Sequence, residues 1–208
     1  MATSVTVSTE LALFIKKYKT ENNLLTEVFD PEWRSPCEKG QPFVDQEGVT
    51  RIRWSPKKRS AENQENGLTR FEKAIETNIH PDIKEYYGSY WSAGLEANAI
   101  QGPVSLILLW NEDDIDRLIE NLIGHTIERQ RLGAPLTTFF ACTDNKSELI
   151  LSVENKSGNV MLEKPGDKKT ETIASSLEAF LSTLKPANAS RHPEQMAKTI
   201  ENSRSCLT

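Results

Sequence analysis

Apolar residues return at helical spacing in five stretches of this chain. Over residues 9–20, Leu11, Phe14, Ile15 and Tyr18 share one face, and Thr9 is placed to cap the start. Over 68–79, Leu68, Phe71, Ile75 and Ile79 do the same. His80-Pro81 interrupts that pattern, and Pro81 suits the first position of a further short helix through Tyr90. The longest amphipathic run follows Asn111, its expected cap, with Ile115, Leu118, Ile119, Leu122, Ile123 and Ile127 as the buried stripe. A last helix is expected over 172–184, with Ile173, Leu177, Phe180, Leu181 and Leu184 inside and Pro186 as its stop.

Strand patterns fill much of the rest. VTRIRW (49–54) alternates apolar and charged residues, as a half-exposed strand does. WSAGLEANAI (91–100) and PVSLILLW (103–110) read as two strands around a Gln101-Gly102 turn. The second is nearly all apolar, which predicts a central, covered strand. LTTFFACT (136–143) and ELILSVENKSGNVMLEK (148–164) give three more, with a turn over 156–159. Residues 22–48 carry Pro31, Pro36, Pro42, Gly40 and Gly48 and read as irregular chain, and 55–67 as a polar linker loop. Helices flanking a mostly antiparallel sheet place the chain in the α+β class. One such domain is expected over residues 1–186, followed by a polar, flexible tail over 187–208.

Composition narrows the function classes. The formal net charge of −5 argues against a nucleic-acid binder, which needs a basic face. No stretch approaches the roughly 18 apolar residues of a membrane span. The N-terminal residues place their charges after the apolar stretch, the reverse of a secretory signal. Cys37, Cys142 and Cys206 are odd in number and fit no metal-ligand spacing, so reduced thiols are expected. The sequence holds no nucleophile elbow, Walker loop or glycine-rich dinucleotide loop, and no cofactor is expected.

The distribution of charge is more informative than its total. Residues 67–122 hold ten acids against four bases, while 1–66 hold ten of each and 123–185 eight of each. The negative excess therefore sits in one quarter of the chain. Its densest point is LILLWNEDDIDRLIENLIGH (106–125). Glu112, Asp113 and Asp114 open a helix, where carboxylates meet a favourable dipole, and Asn111 with Asp114 fits a capping arrangement. Capping does not cover Asp116 or Glu120, which with Asp113 fall on one stripe beside the buried face. Gly124 continues that stripe, a helix-interior glycine that suggests close approach of another backbone.

Two functional readings remain. A hydrolase or nuclease would pair these carboxylates with His80 or His125. Both histidines suit structural roles better, and adjacent carboxylates on a helix diverge too much to hold a metal alone. The chain is therefore not expected to be an enzyme. The second reading is an acidic recognition surface with Tyr86, Tyr87, Tyr90, Trp91 and Trp110 nearby, a composition common at interfaces, although each aromatic singly suits a core.

The run WNEDDIDRLIENLIGH, followed by QRLGAPLTTFFACT and SSLEAFLSTLKP, closely resembles the Syd family of bacterial SecY-interacting proteins, within the SUKH superfamily. SPC at 35–37, Trp54 and FEKAI…IHPDIKEYYGSYWSAGLEA follow in the same order, so the resemblance covers residues 9 to 186. It implies an α+β fold without enzymatic activity, and the superfamily implies an alternative role, an immunity-type protein that neutralises a basic toxin through the same acidic groove. It also implies a peripheral place on the cytoplasmic side of the inner membrane, held by SecY, the protein-conducting channel. The family's acidic concave surface is held to meet the basic cytosolic loops of SecY, sequestering uncomplexed channel or restraining translocation. Cytoplasmic loops of membrane proteins are rich in Lys and Arg, which suits such a surface. Carried over by position, the surface falls on Glu96, Glu112, Asp113, Asp114 and Glu120, with Glu76, Asp82 and Glu85 extending it. Asp116 is left out because that position varies in the family.

Overall fold

The first helix begins earlier than its apolar spacing predicts. In this computed structural model, which describes residues 6–60, 67–143 and 148–187, α1 runs Val7–Glu21. Its cap is Thr6, whose hydroxyl accepts the Thr9 N–H at 3.4 Å, so Thr9 is the capped residue and not the cap. α2 (Leu68–Ile75) is shorter than expected: Glu76 turns left-handed at φ 53°, and Ile79 lies beyond the helix, still buried. α3 (Pro81–Ser89) starts at proline as expected, and His80 Nδ1 caps it by accepting the Asp82 N–H at 3.3 Å. α4 (Asp113–Arg131) buries Ile115, Leu118, Ile119 and Leu122, but Ile127 is exposed, and His125, Thr126 and Arg129 are buried in its place. α5 (Leu177–Thr183) begins where the Ser176 hydroxyl accepts the Ala179 N–H. The residues before that cap are extended, so Ile173, expected inside the helix, sits on a strand.

The proline- and glycine-rich stretch from 22 to 48 is not irregular throughout. It supplies β1 (Thr26–Val28) and β2 (Glu38–Val44), which pair with β3 (Thr50–Trp54) in a sheet of order β1-β3-β2. A register shift between Lys39 and Phe43, with Gly40 at φ 72°, absorbs Gly40 and Pro42 as a bulge. Within the expected linker, β4 (Lys57–Lys58) pairs with β5 (Tyr90–Trp91); residues 61–66 of that linker lie outside the described residues.

The main sheet has seven antiparallel strands in the order β11-β10-β9-β8-β7-β6-β12. Its members are β6 (Leu95–Ala99), β7 (Gly102–Leu106), β8 (Thr137–Thr143), β9 (Ile150–Glu154), β10 (Val160–Glu163), β11 (Thr170–Ala174) and β12 (Lys185–Pro186). Ala99 pairs with Gly102, so Ile100 and Gln101 form the tip of the β6–β7 hairpin, one residue earlier than expected. β7 is interior, between β6 and β8, but it alternates: Val104 and Leu106 are buried and Pro103 is exposed. The chain is thus α+β, with helices on an antiparallel sheet.

β8 is packed from both sides. Phe140 meets Tyr86 of α3 and Phe180 of α5, each at 5.7 Å between ring centroids. Phe139 meets His125 of α4 at the same distance. Tyr86, Tyr87, Trp91 and Trp110 are core residues, and Tyr90 is half-buried. The returning chain is tied down beyond Pro186: Ala187 N–H donates to Glu96 O at 3.0 Å, and Asn22 Nδ2 donates to Ala187 O at 3.2 Å. The rest of the expected tail, 188–208, lies outside the described residues, Cys206 with it. Among the described residues, no helix is long and apolar enough to cross a membrane.

Candidate functional site

The acidic stretch opens α4 through a reciprocal cap. Asn111 Oδ1 accepts the Asp114 N–H at 3.0 Å, and Asp114 Oδ2 accepts the Trp110 N–H at 2.8 Å. Asp114 also pairs with Arg117 at 2.6 Å, and that guanidinium lies 4.3 Å over the Trp33 ring. A loop from distant sequence clasps this end. Asn111 Nδ2 donates to Arg34 O at 3.0 Å, and Trp110 Nε1 donates to Trp33 O at 3.1 Å. The Ser35 hydroxyl donates to Trp110 O and accepts the Cys37 N–H. Trp54 stands edge-on to Trp110 at 5.8 Å. SPC and Trp54 therefore converge on the start of α4, which sequence order alone does not reveal.

On this rigid base the carboxylates divide by commitment. Glu112, Asp113 and Glu120 are exposed. Asp114 is held internally as described. Asp116, also exposed, pairs with Arg70 of α2. Arg59 stacks 3.8 Å over Trp91, and its charge feels Glu112: burial pulls the guanidinium down, and Glu112 pushes it back up. A close approach of the kind expected at Gly124 is found at Gly67. A Cβ there would lie 2.2 Å from Ile115 Cγ2, so α2 seats on α4 through its glycine, while Gly124 is itself half-buried.

The other four predicted positions stand elsewhere. Glu76 is exposed at the end of α2. Glu85 accepts the Ser8 N–H at 3.0 Å at the start of α1; burial pushes its carboxyl up, but hydrogen bonds from Ser8, Thr6 and Val7 win and hold it low. Asp82 is half-buried, and burial raises its carboxyl, with Glu178 and Glu85 adding to the rise and His80, 3.6 Å away, opposing it. Glu96 is half-buried on β6, and burial raises it against a hydrogen bond with Ser105. The structure thus gathers Asp113, Asp114 and Glu120 on α4, with Glu112 at its N-cap. Asp82 and Glu85 lie on α3, and Glu96 lies on the sheet.

Sequence reading missed a buried ionic network on the far half of α4. The Thr137 hydroxyl bridges His125 Nε2, at 2.9 Å, and Glu163 Oε1, at 3.0 Å. Arg129 Nη1 pairs with Glu163 at 3.2 Å, and all three charged or titratable residues are at most 3% exposed. Burial pushes Glu163 up, but the His125 and Arg129 interactions outweigh it and hold the carboxyl low. Nothing in local spacing joins Arg129 to Glu163, which lie far apart in the chain. Among the described residues, no group of three or more His, Cys, Asp or Glu side chains is arranged to hold a metal ion.

Comparison with known proteins places this architecture. The family model described as Syd protein (SUKH-2) matches residues 8–186. The Protein Syd of Alteromonas mediterranea is 37% identical over 188 residues, covering 89% of this chain and 99% of the relative. The Protein Syd of Pseudoalteromonas atlantica is 34% identical over 175 residues, covering 84% of this chain and 89% of the relative. That of Hahella chejuensis is 40% identical over 152 residues, covering 73% and 74%.

Proposed function

Because this chain belongs to the Syd (SUKH-2) family, we propose that it binds the basic cytosolic loops of the SecY channel through the acidic end of α4. The exposure of Glu112, Asp113 and Glu120 on a helix start held by the 33–37 loop carries this reading. Carboxylates fixed on a rigid element meet a basic loop without paying to order themselves. They speed its encounter, and their attraction fades in salt. Asp114 supports the surface from within by holding the cap. Glu96, Glu76, Asp82 and Glu85 extend the negative field without joining the α4 cluster. The mechanism is reversible docking, which sequesters uncomplexed channel or restrains translocation and makes membrane association indirect.

The test is co-sedimentation with inner-membrane vesicles, with and without excess SecY, at about 50 and 500 mM salt, a range over which the screening length shrinks severalfold. Wild type should sediment with SecY at low salt and release at high salt. The double variant Asp113→Asn, Glu120→Gln should bind about tenfold more weakly, equivalent to roughly 1.4 kcal/mol. Glu171→Gln, at an exposed position on β11, should bind as wild type. Absence of SecY-dependent binding at low salt overturns the proposal and leaves the basic-toxin reading. An equal loss in the Glu171 variant reduces the effect to net charge.

A further inference from the structure

The main sheet has one closed face and one face left partly open. Leu95, Leu106, Ala141 and Leu151 pair in a row across β6, β7, β8 and β9, and each is at most 1% exposed. The neighbouring row points to the opposite face: Glu96, Ser105, Cys142, Ile150 and Glu163. α4 packs on this second face, with His125 on Phe139 and Arg129 on Glu163. Glu163 is buried beneath it, but the other four members of the row are half-buried. Asn98 and Pro103, the pair beyond Glu96 and Ser105, are exposed. Among the described residues, the β6–β7 side of this face is left uncovered beside α4.

The chain itself is delivered to this opening. β12 runs antiparallel to β6, with Lys185 opposite Asn98 and Pro186 opposite Ala97. Ala187 N–H then donates to Glu96 O, and Asn22 Nδ2 holds Ala187 O, so the exit is fixed and points towards Leu95. Leu95 pairs with Leu106, the end of β7 from which the chain passes through Trp110 into α4. Residues 188–208 therefore start at the open row, at the end of the sheet where the acidic helix begins. They carry Met196, Ile200 and Leu207, and the bases Arg191, Lys198 and Arg204 against the acids Glu194 and Glu201. From Glu96 to Ile150 the row crosses three strand spacings, about 14 Å. Met196 can lie up to about 30 Å from Ala187, so the tail spans the row with length to spare.

We propose that residues 188–208 lie back across this open face, with Met196 and Ile200 on Ser105, Cys142 and Ile150, and with Lys198 and Arg204 turned to the exposed Asp113 and Glu120 of α4. Apolar atoms leave water on both partners. Each exposed charge pair adds little alone. The covalent tether makes up the difference, because it holds the tail at a millimolar effective concentration and no second molecule has to be captured. A tail in this place puts the chain's own bases where an incoming basic loop must dock, and so makes it a built-in competitor. That consequence, unlike the docking of the tail, rests on the SecY reading.

The test compares the full-length 15N-labelled protein with its double variant Met196→Ser, Ile200→Ser, at about 50 mM salt, where screening is weak. The variant alters no residue of the described fold and no charge. In wild type the 15N–1H nuclear Overhauser effects of amides 194–204 should approach those of β8. In the variant they should fall to values typical of a mobile chain, and the amide signals of Ser105, Cys142 and Ile150 should shift. Mobile tail amides in wild type overturn the proposal. So do shifts confined to residues away from this row, and so does tail order that grows with protein concentration, which seats the tail on a second copy. In vesicle co-sedimentation the variant should bind SecY severalfold more tightly than wild type. Equal binding by a variant with a released tail overturns the competition. Binding by neither protein overturns the SecY reading, and an ordered wild-type tail still upholds the docking.

Discussion

Asn111 and Asp114 each serve the start of α4 from both sides of the cap, whereas Asp113 beside them faces solvent. Asn111→Ala should therefore cost about 1–2 kcal/mol in chemical denaturation, and Asp113→Asn, which loses only its interaction with the helix dipole, less than about 1 kcal/mol. Glu163 and Glu96 give opposite pH signatures. Glu163 is held low in the fold, so its contribution is present above the unfolded value, near about 4.3, and is lost as pH falls through the lower folded value. Glu163→Gln should cost about 3–5 kcal/mol at pH 7, because it strands the buried Arg129 charge, and the mutant curve should flatten on the acid side. Glu96 is raised, so the folded state holds its proton longer, and stability falls as pH rises from the unfolded to the folded value. Glu96→Gln should raise Tm at pH 7 and lose that advantage below about pH 4. Thermal melts of both variants from pH 3 to 8 check the two signs; a Glu96 variant less stable than wild type at pH 7 contradicts the second.

Among the elements, those with strong periodicity were legible. α1, α4 and the strands around β8 follow their apolar spacing, because each buries one broad face against a continuous core. Boundaries were less so. Thr6 and Ser176 capped α1 and α5 at points that apolar residues do not mark, and Glu76 ended α2 by a left-handed turn that a glutamate seldom signals. β2 was hidden because its glycine and proline, read as breakers, are absorbed in a bulge of an exposed strand. Of the acidic site, the capping role and the exposed edge were visible from helical angle. The clasp by residues 33–35 and the pairings of Asp116 with Arg70 and Arg129 with Glu163 were not, since each joins residues far apart in the chain. The α2–α4 contact carries its own test. Gly67→Ala should cost about 1–3 kcal/mol by overpacking, and Ile115→Ala, which removes the opposing methyl, should make the double variant more stable than the sum of the two single losses predicts. Strict additivity in urea melts would place the strain elsewhere.

For the molecule as a whole, charge is sorted by depth. The buried pair of Arg129 and Glu163 joins α4's second half to β10, while the solvated carboxylates crowd the helix's first turns. One helix therefore joins the core and the proposed docking rim, and salt should act on the two very differently. Raising salt to about 500 mM should abolish channel binding while shifting Tm little, because screening reaches exposed charges and spares buried ones. The loop over the start of α4 has a further consequence. Two of its grips are main-chain carbonyls, those of Trp33 and Arg34. Every residue type presents that same oxygen, so the side chains there can be rewritten while the grip persists. Two relatives with dissimilar letters in this loop can hold their acidic helices alike, and a letter-by-letter comparison will understate how similarly they are built.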